Sequence, residues 1–203
     1  MRWNLCGRWM NGALALACVL AGAALSSAQT APQSAPSGHA AEPSAQAPKG
    51  ETPHQFLAKR AGEWTRTIRF VGQPGGTGEA FTGSAKITAI DGGRFLLEEY
   101  HDVVFGRPIT GTRLFGFNTI TGQYEAALTG TTSPAILMLR GTSTDGGKVV
   151  DYSGEAESGH GDKFTLSVRV RQEDDDHMVM SFSMTGPDGK PNTFQETAYT
   201  RKK

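Results

Sequence analysis

Two short stretches decide the fold: LAKRAGEW at residues 57–64 and YTR at residues 199–201. Between them lie about ten segments of strand-like composition, separated by turns rich in Gly, Asp and Pro. Nearly every gap is a few residues long, as in hairpins, and no helical pattern is long enough for a crossover between parallel strands. The sequence therefore predicts an all-β fold, a closed antiparallel up-and-down barrel whose first and last strands pair.

A short helix precedes the strands. Thr52 can cap it, Pro53 occupies the first helical position, and Gln55 follows the cap by three residues. We expect Gly62 to end this helix. The predicted strands cover residues 64–71, 79–90, 94–105, 108–117, 123–128, 135–143, 148–155, 163–172, 178–185 and 193–201.

The first 28 residues have the anatomy of a signal peptide. Arg2 and Arg8 supply a positive start, residues 12–25 form an uncharged apolar run, and Ser26-Ser27-Ala28 offers small residues for cleavage. The run is shorter than the roughly 20 residues that span a bilayer. We expect an exported protein, periplasmic or secreted, with no transmembrane segment after processing.

Cysteine usage fits export without a lipid anchor. Cys6 and Cys18 are the only two cysteines, and both precede the predicted cleavage point. Cleavage before Gln29 is favoured over lipidation at Cys18, because apolar sequence continues to Leu25 and the usual Leu before a lipidated Cys is missing. The mature chain would contain no disulfide and no cysteine metal site.

Residues 29–51 form a linker rich in Ala, Pro, Ser and Gln, without a large apolar side chain. Such a segment cannot bury enough surface to offset its ordering entropy, so we expect disorder there and a single folded domain at 52–203. The full chain has 20 Lys and Arg and 20 Asp and Glu, and no basic stripe, which argues against a nucleic-acid partner.

Two arginines fall on predicted apolar strand faces. Arg66 shares a face with Trp64, and Arg113 shares one with Ile109 and Phe115. A charge on such a face requires a partner. By pattern the nearest acid is Glu99, which predicts either an internal salt bridge or an arginine that anchors a ligand carboxylate.

One strand carries a methionine-rich stripe that includes Met180 and Phe182. Ordinary core packing is the simpler interpretation, and an adaptable wall of a ligand cavity is the alternative. The third strand, with Glu99 and His101, has no cleanly apolar face, so periodicity does not say which side is inside. The sequence contains no nucleophile elbow, phosphate-binding loop or zinc motif, and it predicts no metal and no cofactor.

The domain resembles a bacterial family of unknown function, the domain of unknown function 1579. The resemblance departs from the family at EAALTG, residues 125–130. It implies a lipocalin-like or calycin-like barrel and no established activity. The matching stretches are HQFL at 54–57, GEW at 62–64, GGRFL at 92–96, EY at 99–100, DDDH at 174–177, TGPDGK at 185–190 and YTRK at 199–202.

In lipocalin-like barrels, a Gly-x-Trp on the first strand closes one barrel end and a late arginine lies across the Trp ring. Gly62, Trp64 and Arg201 occupy these places, so we predict a structural closure, with a Trp in a ligand site as the alternative. A haem-binding barrel similar to nitrobindin is a further alternative, with His101 as the axial ligand.

The favoured function is non-catalytic binding of a small apolar or amphipathic molecule in the barrel. The alternative from another class is an enzyme that uses Glu99, His101 and an arginine in the cavity, which requires these side chains to converge inside it. A filled barrel acting through its outer surface is the third hypothesis.

Overall fold

A computed structural model describes residues 52–71, 78–158, 161–185 and 189–203. The predicted signal peptide (1–28), the predicted linker (29–51), most of the loop after the first strand and part of the last hairpin turn lie outside these residues. Within the described residues, no helix has both the length and the apolar character needed to cross a membrane.

One helix and ten strands make up the described chain. The helix, α1, spans Pro53–Ala58. Each strand lies within two residues of its predicted bounds. The strands are β1 (Gly62–Phe70), β2 (Ala80–Ile90), β3 (Phe95–Val104), β4 (Arg107–Asn118), β5 (Gln123–Gly130), β6 (Leu137–Thr142), β7 (Val149–Glu157), β8 (Lys163–Gln172), β9 (His177–Thr185) and β10 (Pro191–Arg201).

The ten strands close into one barrel. Each strand pairs antiparallel with its neighbour in sequence, and β1 pairs with β10 to complete the ring. At this closing seam Trp64 lies opposite Arg201, and Arg66 lies opposite Tyr199. The predicted fold class, a closed up-and-down, lipocalin-like barrel with a short N-terminal helix, is confirmed.

Helix α1 begins as predicted but ends early. The Thr52 hydroxyl accepts a hydrogen bond from the Gln55 amide (3.3 Å), and the Gln55 side chain accepts one from the Thr52 amide (2.9 Å). The prediction that Gly62 ends the helix is wrong, because α1 ends at Ala58 and Gly62 is the first residue of β1. Gly62 has a φ of 146°, and a Cβ there would collide with the guanidinium of Arg201.

The two barrel ends differ. At the closed end, α1 places Leu57 in the core with no exposed surface. Along the inward stripe of β9 the exposed fraction rises from 2% at Met178 and 1% at Met180 to 8% at Phe182 and 37% at Met184. The wall formed by β9 is therefore buried where β9 begins and exposed where β9 ends, and we name the latter end of the barrel the open end. On the opposite side of this end, Ile68, Phe81 and Val104 pack into a second buried cluster.

Exposed apolar side chains concentrate around this open end. Of the eight large hydrophobic residues that are exposed in the described chain, six lie within one residue of a strand terminus there. We call these six the open rim: Val71, Val103, Phe105, Ile136, Met138 and Met184.

Candidate functional site

Two ion pairs lie inside the barrel. Arg66 Nη1 donates to Asp102 Oδ2 at 2.7 Å. Arg113 Nη1 donates to both carboxylate oxygens of Glu98, at 3.1 and 3.2 Å. The side chains of Arg66 and Glu98 have no exposed surface, and those of Asp102 and Arg113 are 6% exposed. These charges are removed from bulk water and depend on one another for compensation.

Tyr199 joins the second ion pair. Its hydroxyl donates to Glu98 Oε1 at 2.8 Å and accepts from Arg113 Nη1 at 2.8 Å. Burial raises the pKa of Tyr199 to about 12. The hydroxyl therefore stays protonated at neutral pH and remains a donor to Glu98.

Strand alternation and register bring these groups together. Glu98, Tyr100 and Asp102 occupy alternate positions of β3 and share the inward face. Glu98 lies directly opposite Arg113 across β3 and β4. Because the register of a closed sheet is fixed by its hydrophobic face, the same alignment that buries the core also aligns the charges.

Tyr100 packs beside both arginines. The Arg66 and Arg113 guanidinium carbons each lie 4.3 Å from the centre of the Tyr100 ring, a distance at which a cation is attracted to an aromatic face. The Tyr100 hydroxyl reaches the wall at Gly111, where a Cβ would collide with it. The missing side chain at Gly111 thus makes room for the ring that holds the two cations.

Arg113 retains hydrogen-bonding capacity beyond its ion pair with Glu98. All three of its hydrogen bonds use Nη1. Its other N–H groups make no hydrogen bond to the described residues, and they are not among the nitrogens sealed from solvent. Arg66 differs, because its free Nε and Nη2 are both sealed. Of the two ion-paired arginines, Arg113 is thus the one whose free N–H groups are not completely sealed.

Electrostatics keep Arg113 charged. Burial alone would lower its pKa, but the adjacent Glu98 carboxylate more than reverses this, so the pKa of Arg113 lies above its ordinary value. The opposite balance holds at Asp102, where burial raises the pKa of the carboxyl despite the neighbouring Arg66.

A third buried arginine, Arg60, follows α1 at the closed end and is only 3% exposed. Its Nη2 donates to the Gly147 carbonyl at 2.9 Å, and its Nε is sealed without a partner. A cavity of about 10 Å³ lies between Arg60 and Glu98 among apolar side chains. This volume is about that of one water molecule, so the closed half of the barrel is filled.

The structure separates the residues that the sequence grouped as one site. Arg66, Arg113, Met180 and Phe182 lie inside the barrel. Glu99 and His101 are exposed and point outward, because they alternate with Glu98, Tyr100 and Asp102 on β3. The prediction that Glu99 pairs with Arg113 is wrong, since the inward neighbour Glu98 makes that contact.

The outward orientation of Glu99 and His101 contradicts the two alternative hypotheses that depend on these residues. The enzyme hypothesis requires both residues to converge with an arginine in the cavity, and they lie on the opposite face of the sheet. The haem hypothesis places an axial His101 in the interior, whereas its side chain lies on the outer face. In the described residues, no group of three His, Cys, Asp or Glu side chains is placed to hold a metal ion.

Trp64, Gly62 and Arg201 meet at the closed end. The Arg201 guanidinium carbon lies 4.2 Å from the centre of the Trp64 ring. Arg201 also donates to the carbonyls of Ala61 (2.7 Å) and Lys59 (2.9 Å), and Trp64 Nε1 donates to the Arg60 carbonyl (3.0 Å). These contacts tie the last strand to the segment between α1 and β1.

Five residues that build the interior network or lie beside it were missed from the sequence: Arg60, Glu98, Tyr100, Asp102 and Tyr199. The alternation of β3 does group Glu98 with Asp102, and the position of Arg113 on an apolar face requires an inward acid. Combining the two patterns would have identified Glu98, since an outward Glu99 cannot compensate an inward cation. No comparable signal marks Arg60, which follows a helix of six residues.

A larger depression of about 660 Å³ lies on the outer surface of β6–β10. Serine and threonine hydroxyls line much of it, together with the ion pair between Arg169 and Asp151, whose side chains are 63% and 54% exposed. Groups this exposed are already hydrated, so the depression contains no desolvated charge. The interior network is the more unusual chemical environment, and we take it as the candidate site despite its smaller space.

Comparison with family models shows which family the chain matches. Residues 49–201 match the model described as "Protein of unknown function (DUF1579)". The chain belongs to the DUF1579 family. The match to the DUF1579 model covers the predicted domain almost completely, which confirms the family resemblance that the sequence motifs indicate. Comparison with curated proteins found no match.

Among solved structures, this DUF1579 barrel is similar to an S-type phycobiliprotein lyase from Guillardia theta. The two share 12% sequence identity with a TM-score of 0.43, and the alignment covers 75% of this chain and 93% of the lyase chain.

Proposed function

We propose that this protein binds a small amphipathic molecule in the open half of its barrel. The apolar part of the ligand lies among the aromatic side chains near the open rim. Its polar end accepts hydrogen bonds from Arg113. The observation that carries the proposal is the free N–H groups of Arg113, which belong to a buried side chain but are not completely sealed from solvent.

The lining above Arg113 suits an apolar chain. Phe182 packs against the guanidinium of Arg113, with 5.4 Å between the ring centre and the guanidinium carbon. Nearer the open end, Phe81 lies 4.5 Å from Phe105 between ring centres. Burial of aliphatic carbon against such rings stabilises a complex by about 25 cal/mol per Å² of apolar surface.

The polar floor favours a ligand with an acceptor at one end. A hydrogen bond that involves a charged group contributes about 1.5–3 kcal/mol. A ligand oxygen beside Arg113 would form such a bond and also restrict the ligand to one orientation. This combination of an apolar lining with a few placed polar groups is the usual composition of a small-molecule site.

The test is fluorescence titration of the folded domain with a dansyl-labelled fatty acid, comparing the wild type with Arg113→Lys. Lysine keeps the positive charge beside Glu98 but lacks the planar fork of donors. We expect saturable binding by the wild type and weaker binding by the variant. A lost charge-assisted hydrogen bond of about 1.5–3 kcal/mol corresponds to roughly 10- to 150-fold in Kd.

The matched control is Arg169→Lys, the same substitution at an exposed ion pair on the outer face. It should leave the probe affinity unchanged. Circular dichroism and urea unfolding establish that both variants fold. Absence of saturable binding by the wild type would contradict the proposed function, and equal affinities for wild type and Arg113→Lys would contradict the role of Arg113.

The proposal includes export. A carrier of amphipathic molecules that has lost residues 1–28 would act in the periplasm or outside the cell. It would have no lipid anchor attached to a cysteine. The support is the anatomy of the signal sequence and the absence of cysteine from residues 29–203.

A further inference from the structure

One buried cation of the described barrel has no counter-charge. Arg66 is paired with Asp102 at 2.7 Å, and Arg113 is paired with Glu98 at 3.1 Å. Arg60 is only 3% exposed, and no carboxylate of the described chain forms a salt bridge with it. Because the guanidinium of an arginine stays protonated in proteins, the closed end of the barrel contains one uncompensated positive charge.

The hydrogen bond and the ring contact of Arg60 involve neutral groups. Its Nη2 donates to the Gly147 carbonyl at 2.9 Å, and its guanidinium carbon lies 5.5 Å from the centre of the Phe56 ring. Its Nε is sealed from solvent without a partner, whereas its free Nη1 is not completely sealed. A carbonyl and an aromatic ring attract a cation without cancelling its charge, so Arg60 still lacks an anionic partner.

Two tyrosine hydroxyls near Arg60 do not supply the missing charge. The hydroxyl of Tyr152 is sealed without a hydrogen-bond partner, and that of Tyr124 lies against Gly147, where a Cβ would approach it closely. Burial raises the pKa of both phenols, although the positive charge of Arg60 acts in the opposite direction. Both hydroxyls therefore stay protonated at neutral pH. Tyr152 is thus a second buried donor that lacks an acceptor.

The adjacent acid on the chain is already engaged. Asp145, two residues before Gly147, is exposed, and its Oδ1 accepts hydrogen bonds from the Ser143 hydroxyl and the Val149 amide, both at 2.8 Å. These bonds hold the carboxylate in the turn before β7 and lower its pKa. The carboxylate is therefore committed to the turn rather than to Arg60.

The space beside Arg60 limits what can neutralise it. The cavity of about 10 Å³ that Arg60 lines has mostly apolar walls. Glu98 also lines it, but this carboxylate is bonded to Arg113 and Tyr199. The volume accepts one particle the size of a water molecule. Water would hydrate Arg60 without neutralising it, whereas a carboxylate or a phosphate needs more room.

From the unpaired cation, the unpaired hydroxyl and the small space, we infer that the closed end of the barrel binds one single-atom anion of the chloride class. The anion accepts hydrogen bonds from Arg60 and Tyr152. It connects the segment after α1 with β7, which only the native fold brings together, so its binding stabilises that fold. The ligand of the proposed function enters from the open end, and the two proposals do not depend on each other.

The first experiment measures thermal unfolding of the protein without its predicted signal peptide at constant ionic strength, as sodium gluconate is replaced stepwise by sodium chloride or bromide. Constant ionic strength keeps the screening of surface charges unchanged. We expect the melting temperature to rise with halide concentration, by roughly 2–6 °C in total, because the halide binds the native state. A wild-type melting temperature that is independent of halide would overturn the inference.

Arg60→Gln tests the cation, because it removes the charge but keeps an N–H donor for the Gly147 carbonyl. We expect it to abolish the rise with halide. Arg140→Gln is the matched control, since it removes one positive charge from an exposed position on β6, and it should keep the full rise. Equal rises in wild type and Arg60→Gln would overturn the inference.

Tyr152→Phe tests the hydroxyl. In gluconate, the loss of an unpaired buried hydroxyl should leave the melting temperature unchanged or slightly higher. In halide the variant should gain less than the wild type, with a several-fold weaker apparent halide affinity. An unchanged halide affinity would contradict the contact between the anion and Tyr152.

Crystals grown in sodium bromide locate the anion directly. We expect an anomalous difference peak beside the Arg60 guanidinium, and its absence would overturn the inference even if Arg60→Gln does not fold. Failure of the dansyl fatty acid to bind would contradict the proposed function and leave the anion site untouched, whereas absence of the bromide would do the reverse.

Discussion

At the scale of single residues, the interior of the barrel is distinguished by its buried charged side chains. Arg66, Arg113, Glu98 and Asp102 are held in two short ion pairs, and Tyr199 connects one pair to the last strand. Such pairs contribute little net stability compared with an apolar core, but breaking one partner is costly.

Trp64 has the opposite character, since its role is packing. It has no exposed surface and lies between Arg201 and Tyr199, the latter with ring centres 6.3 Å apart. We expect Trp64→Ala to lower the free energy of unfolding by about 3–5 kcal/mol, the range for losing a buried large aromatic. Urea denaturation followed by circular dichroism measures this. A change of less than about 1 kcal/mol, close to that of a surface substitution, would contradict the packing role.

Tyr199 provides a test with pH. Burial raises its pKa from 10 to about 12, so between these values the native state holds a proton that the unfolded state has lost. Stability from this group is fully present below pH 10 and is lost as the pH rises toward 12, by about 1.4 kcal/mol per unit of pKa shift.

The measurement compares unfolding free energies of the wild type and Tyr199→Phe from pH 9 to pH 12. The variant should lose less stability over this interval than the wild type. Parallel curves for the two proteins would show that another group causes the alkaline loss.

At the scale of secondary-structure elements, the strands were predictable and the faces were not. Turn residues mark every hairpin, so strand bounds follow from local chemistry. The inward face of β3 does not, because Glu98 and Asp102 make its buried side as polar as its exposed side. Only pairing with Arg66 and Arg113, which are distant in sequence, makes that face the inner one. The sequence therefore predicted the two arginines of the candidate site but not the two carboxylates that pair with them.

The turn between β3 and β4 is the element most suited to a role at the entrance. Phe105 has a φ of 50°, a backbone conformation unusual for a bulky residue, and its side chain is 70% exposed. Its ring nevertheless contacts Phe70 and Phe81 at the open end, with centres 6.1 and 4.5 Å away. Strain held at an exposed aromatic suggests selection for a contact with something else.

We therefore expect Phe105→Asn to weaken binding of the dansyl fatty acid several-fold with little loss of stability. Asn accepts the left-handed backbone more readily than Phe, which offsets the lost ring contacts. Leu114→Asn is the control, since it places the same side chain at an exposed position on the outward face of β4, away from the open rim. Equal affinities for wild type and Phe105→Asn would exclude the turn from the entrance.

At the scale of the whole molecule, the domain and its leader are separable by composition. Residues 29–51 carry no large apolar side chain, whereas the barrel encloses its own core. Removing residues 29–50 from the mature protein should shift the melting temperature by no more than about 2 °C, because the segment contributes no core. A large drop on truncation would show that the segment packs on the barrel.

Export is tested on the same scale. Expression of the full chain with its leader should yield mature protein that begins at or near Gln29, has no thiol, and is found outside the cytoplasm. N-terminal sequencing and intact mass measure this directly. A lipidated Cys18 at the N-terminus would contradict the predicted cleavage.

The seam between β1 and β10 also determines when the fold can be completed. Arg201 donates a hydrogen bond to the carbonyl of Ala61, which lies 140 residues earlier in the chain. The Arg201 guanidinium covers the Trp64 ring only when β10 is in place. Contacts of such long sequence separation form late and slowly, since the loop they close must first be searched. During synthesis the barrel therefore cannot close until its tenth strand has been made. A chain whose barrel has not yet closed can still pass through a narrow channel, as export before folding would require.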